Sequence, residues 1–120
     1  MDDTDVIEVL GALSQETRLR TFRRLVAVEP EGIAAGDLAR QAGVPQNTMS
    51  AHLSVLAAAG LVHGERQSRS IIYRASLTRL RDVTRYLVQD CCGGRPEICA
   101  PLVDAFTPCC TPKEEIADHG

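Results

Sequence analysis

One stretch constrains the fold more than any other: Asp37-Leu38-Ala39-Arg40-Gln41-Ala42-Gly43-Val44-Pro45-Gln46-Asn47-Thr48-Met49-Ser50-Ala51-His52-Leu53. Leu38, Val44, Met49 and Leu53 are spaced to lock two short amphipathic helices across a tight turn, and Gly43 stands where the first must stop. The residues left outside on the second helix include Gln46, Asn47, Thr48, Ser50, Ala51, His52 and Ser54. They are small or hydrogen-bonding and sit toward the helix end that enters a major groove in such pairs. Gln and Asn can read adenine edges, and Ser and Thr can hold phosphates. A polar, solvated helix in any small helical protein would have a similar composition, so the flanking elements must decide.

They decide for DNA. Val6, Ile7, Leu10 and Leu13 predict a first helix over about 4–13. Ser14 is the expected N-cap of a second helix carrying Leu19, Phe22, Leu25 and Val26, which ends at Glu29-Pro30-Glu31-Gly32. The third helix is expected from Ala35 to Gln41, and the fourth from Gln46 to Ala59-Gly60. The period then changes. Leu61-Val62-His63 and Ser70-Ile71-Ile72-Tyr73-Arg74 read as short strands around a polar tip, Gly64 to Arg69. That tip lacks the Gly or Asn-Gly that eases a tight turn, and its Arg66 and Arg69 are expected to reach a minor groove or flanking phosphates. Ser76 should cap a fifth helix with Leu77, Leu80, Thr84, Leu87 and Val88 on one face. The expected fold is mainly α with a small β-hairpin: a winged helix-turn-helix with additional N- and C-terminal dimerisation helices.

Charge agrees with that reading only when it is resolved along the chain. The net charge of −3 argues against a nucleic-acid partner for the whole. Residues 40–85, however, hold Arg40, Arg66, Arg69, Arg74, Arg79, Arg81 and Arg85 against only Glu65 and Asp82. A basic middle with acidic flanks can present a positive face to phosphates. With 120 residues, 44% of them hydrophobic and 3% aromatic, the chain fits one domain built from Leu, Val, Ile and Ala. Its apolar runs fall far short of the ~18 residues a membrane span needs. The N-terminus, Met1-Asp2-Asp3-Thr4-Asp5, is acidic where a secretory signal is basic and then apolar, so a cytoplasmic location and no membrane partner are expected.

All five cysteines fall in the last quarter: Cys91, Cys92, Cys99, Cys109 and Cys110. An odd number in a reducing compartment speaks for thiol chemistry or ligation rather than a disulfide framework. Gly93-Gly94 lets the chain fold back, so the sulfurs of Cys91, Cys92 and Cys99 can converge. Adjacent cysteines close a strained disulfide, but both can bind one soft centre. Tetrahedral zinc wants four ligands in separated pairs, a spacing absent here. Three thiolates suit As(III) or Sb(III), with Cys109 and Cys110 as possible additional ligands. Incidental cysteine is the blander reading.

Leu13-Ser14-Gln15-Glu16-Thr17-Arg18-Leu19-Arg20, followed by Asn47 to Leu56 and Ala59-Gly60-Leu61-Val62, resembles the ArsR/SmtB family of metalloregulatory repressors over about residues 5–90. The resemblance implies a homodimer on double-stranded operator DNA, with the first and last helices forming its interface. Sensor sites differ among family members. Ala34 and Gly36 replace the Cys-x-Cys pair of one arsenic-binding branch, and the last helix has Asp82 but no His for a zinc site. The segment Cys91 to Cys99 resembles the C-terminal arsenic-binding segment of another branch.

The expected organisation is therefore a DNA-binding and dimerisation domain over 1–90 and a cysteine-rich sensor tail over 91–120. The expected function is an arsenite-responsive repressor released when As(III), or Sb(III), binds Cys91, Cys92 and Cys99. A thiol redox or persulfide sensor on the same fold is the alternative. A thiol enzyme is a remote third, because the cysteines follow a helix C-terminus, whose dipole raises thiol pKa.

Overall fold

The computed structural model describes residues 1–91, the last three by their helical backbone alone. Five helices and three strands follow in the order α1 (Asp3–Leu13), α2 (Glu16–Ala27), β1 (Ile33–Ala34), α3 (Ala35–Ala42), α4 (Gln46–Ala58), β2 (Val62–Gln67), β3 (Ser70–Ala75) and α5 (Leu77–Cys91). The chain is a winged helix-turn-helix, mostly helical with a small antiparallel sheet. It divides into two compact units that part between Val83 and Thr84, within α5.

In the first unit, Val9, Phe22, Leu25, Leu38, Met49, Leu53, Leu56 and Leu61 form one contiguous core. The spacing of Met49, Leu53 and Leu56 puts them on a single face of α4, and all three are buried. Thr21 is fully buried among these groups, and its hydroxyl points at the Met49 sulfur 4.0 Å away. Burial of this kind stabilises by about 1.5–3 kcal/mol for each large side chain, which is what fixes α2 and α3 against α4.

The sheet has the order β1-β3-β2. Val62 pairs with Ala75 at the base of the hairpin and Gln67 with Ser70 at its tip. The strands are longer than expected, because the polar run from Gly64 to Gln67 pairs as strand and leaves only Ser68 and Arg69 in the turn. Ser68 takes a φ of 59°, in the position such turns usually give to Gly or Asn. β1 is absent from the sequence expectation. It is two residues long, and Ile33 pairs with Tyr73 and Ala34 with Ile72. Gly32, just before it, has a φ of 80°, and a Cβ there would lie 2.6 Å from the Tyr73 carbonyl oxygen.

Three other expectations shift. Ser14 ends α1, its hydroxyl donating to the Gly11 carbonyl at 2.8 Å, and Gln15 caps α2 instead, its Oε1 accepting the Arg18 N–H at 2.8 Å. Leu19 faces outward, since the inner face of α2 is set by Thr21, Phe22 and Leu25. On α5, Val83 is the buried residue while Leu77 and Leu87 are exposed. Ser76 does cap that helix, its hydroxyl accepting the Arg79 N–H at 3.3 Å.

Candidate nucleic-acid interface

The turn between α3 and α4 depends on Gly43. Its φ of 70° is left-handed, which an L side chain adopts at a cost of about 1–2 kcal/mol. In that conformation the Gly43 N–H donates to the Arg40 carbonyl at 3.2 Å and the Val44 N–H to the Ala39 carbonyl at 3.1 Å. These two bonds close the end of α3 and turn the chain straight into α4. Pro45 precedes the first turn of α4, which has no side-chain cap and no acidic residue. The backbone N–H groups and the positive end of the helix dipole are therefore left open at this end, an arrangement suited to a phosphate.

Gln46, Asn47 and Ser50 are exposed along this end of the helix. A cleft of about 390 Å³ lies between the start of α3, the start of α4 and the hairpin. Gln46 and Ser50 line it from α4, Arg66 and Arg69 from the hairpin, and Arg40 and Asp37 from α3. Four of the residues expected from sequence, Gln46 and Ser50 of α4 and Arg66 and Arg69 of the hairpin, thus share one concave surface. Asn47, Thr48 and His52 do not line it. Thr48 and His52 are half-buried, and Arg18 Nη1 approaches His52 Nδ1 at 3.4 Å.

The charge of this cleft is net positive because Arg40, Arg66 and Arg69 line it against one carboxylate, Asp37. Asp37 pairs with Arg40. Glu65 pairs with Arg74, whose Nε also donates to the Pro30 carbonyl at 2.9 Å and so ties the hairpin to the loop before β1. Arg66 and Arg69 make no ion pair among the described residues, and both are exposed. Arg40 and Tyr73 line the cleft without having been singled out from sequence; the only signal for Arg40 was its place at the start of the basic stretch 40–85.

Among the described residues no cluster of His, Cys, Asp or Glu could hold a metal ion. Cys91 is the last residue of α5, and Cys92, Cys99, Cys109 and Cys110 lie outside the described residues. No described helix is long and apolar enough to cross a membrane.

A helix-turn-helix domain family matches residues 13–65. An ArsR-like transcriptional regulator from Rhodococcus sp. RHA1 is 26% identical, with 89% of this chain and 93% of that chain covered and a TM-score of 0.66. The homodimeric winged helix-turn-helix DNA-binding domain of Mb0332 from Mycobacterium bovis, a possible ArsR-family transcriptional regulator, is 25% identical over 73% of this chain and 85% of that one, TM-score 0.60. The transcriptional repressor BigR from Xylella fastidiosa is 30% identical over 70% of this chain and 84% of that one, TM-score 0.56. No curated protein matches the sequence significantly.

Proposed function

This chain belongs to the ArsR family of DNA-binding transcriptional regulators, and from that premise we propose that it is an arsenite-responsive repressor, acting in the cytoplasm as a homodimer on a palindromic operator. The observation that carries the proposal is the order of the cysteines along the chain: Cys91 is the last residue of α5, and Cys92 and Cys99 follow it in sequence within one glycine-containing segment. A trivalent arsenic or antimony centre takes three thiolates, and soft sulfur ligands select such soft ions.

The dimer half of the proposal rests on exposed apolar groups. Ile7 is 69% exposed and Leu10 is 45% exposed on α1, and Leu87 on α5 is also exposed. A second copy would cover such groups, and the Mycobacterium bovis relative is homodimeric. A dimer places two copies of α4 at a fixed separation, matched to half-sites one helical turn apart. Ligation of Cys91, Cys92 and Cys99 would draw the tail against the end of α5 and change the angle between the two α4 helices. The half-site spacing would then no longer fit. A coupling of roughly 1–3 kcal/mol is enough for a useful response, and DNA must weaken arsenite binding by the same factor.

The test is release from DNA of the reduced protein, titrated in parallel with arsenite, antimonite, zinc, cadmium and peroxide. Arsenite or antimonite should release it at the lowest concentration. Release by zinc alone would overturn the ligand assignment. Release by peroxide with arsenite inert would replace ligation by thiol oxidation.

A further inference from the structure

Arg18 and His52 are 34 positions apart in sequence and meet between α2 and α4. The guanidinium is held from two sides: its Nε donates to the Ala12 carbonyl of α1 at 2.7 Å, and its Nη1 lies 3.4 Å from His52 Nδ1. A guanidinium has five N–H donors and no lone pair, so in this contact His52 Nδ1 can only accept. The single proton of the neutral ring then sits on Nε2.

We propose that Arg18 is a positioning residue for DNA recognition, locking His52 in its Nε2–H tautomer so that the ring meets nucleic acid as a hydrogen-bond donor. A donor at this point of α4 suits guanine N7 or O6, or a phosphate oxygen, and is mismatched to the amino group of adenine. The proposal rests on the reading of α4 as the DNA-contacting helix. Neither Arg18 nor His52 lines the cleft, and Arg18 acts through the His52 ring.

The experiment uses full-length protein and a DNA duplex selected by the wild-type protein from a random-sequence pool. In wild-type protein with 15N-labelled histidine, the His52 ring, identified by its loss in His52→Ala, should show an unprotonated Nδ1 and a protonated Nε2. In Arg18→Met the two nitrogens should move toward the tautomer average. Affinity for the selected duplex should fall about fivefold in Arg18→Met, the equivalent of one ordinary hydrogen bond. The double variant with His52→Ala should lose little more than either single variant. His52→Ala leaves the Arg18–Ala12 bond in place, so additive losses would mean that Arg18 acts through α1, and would overturn the proposal. A protonated Nδ1 in the wild-type ring would overturn it whether or not Arg18→Met folds. If Asn47→Ala and Ser50→Ala also leave affinity unchanged, the reading of α4 itself has failed.

Discussion

α1 and α4 are built alike on the inside and oppositely on the outside. Each buries three apolar residues at helical spacing: Val6, Val9 and Ala12 in one, Met49, Leu53 and Leu56 in the other. Outward, α1 shows Ile7 and Leu10, whereas the start of α4 shows Gln46, Asn47 and Ser50. Their N-termini differ in the same sense. Asp2 and Asp5 close a reciprocal cap on α1, with Asp3 and Asp5 in its first turn, so its positive end is neutralised. The start of α4 has neither cap nor acid. Two helices with the same core role thus differ outside: a sealed end with an apolar face on α1, an open end with a polar face on α4, and the proposed function gives the first to a second copy and the second to DNA.

The largest effect should come from breaking the apolar side. Ile7→Glu with Leu10→Glu places charge at exposed positions, so the fold should survive while pairing fails. Sedimentation should show monomers, and operator affinity should fall at least about a hundredfold, toward non-specific binding. Dimers at micromolar concentration would assign the apolar face another role. On the polar side, Asn47→Ala or Ser50→Ala should weaken operator binding by roughly 1–3 kcal/mol for each lost base contact, with unchanged circular dichroism. Unchanged affinity would place the reading surface elsewhere.

The wing should behave differently from α4. Arg69→Ala is expected to weaken binding to all sequences about equally and to reduce the salt slope by about 0.9, the signature of one lost phosphate contact. A change in sequence preference instead would move Arg69 into base recognition. The smallest effect belongs to the sealed end of α1. The Asp5 backbone N–H donates to the Asp2 carboxylate at 2.9 Å and holds its pKa below the ordinary value. Because the folded value is lowered, this contribution is complete above the ordinary carboxylate range and fades as pH falls through the lowered value. Asp2→Asn should slightly reduce Tm at neutral pH and flatten its dependence on acid; an identical acid profile would show that the cap adds nothing.

The contrast between α1 and α4 also explains what was legible in the sequence. Helix ends were readable where glycine stops them, as at Gly43 and Gly60, both with positive φ. The helix-turn-helix was legible because Leu38, Met49 and Leu53 carry the periodicity of a packed face. Ile7, Leu10, Leu19 and Leu77 obey helical spacing yet are exposed: spacing marks an apolar face without saying whether this chain or a partner covers it. The wing strands were cut short because Glu65, Arg66 and Gln67 are exposed, so no alternation marks them as strand. β1 is too short to show a period, and the Arg18–His52 contact joins distant positions that no local pattern connects. Of the expected DNA-contacting residues, Gln46, Ser50, Arg66 and Arg69 come together in one cleft. The two segments that supply them are both polar and adjacent to turns, and it was their place in the order helix, turn, helix, hairpin that singled them out, since composition alone fits any solvated face.

The proposed arsenite response is tested most directly by following release of DNA-bound protein by arsenite in four forms: wild type, Cys92→Ser, Cys99→Ser and the Cys109→Ser, Cys110→Ser double variant. All four should bind the operator equally in the absence of arsenite. Arsenite should release wild type and the double variant and leave Cys92→Ser and Cys99→Ser bound. Release of Cys99→Ser with a double variant blind to arsenite would contradict the assignment of Cys99 as the third ligand, and a wild-type protein that stays bound would contradict the arsenite response itself.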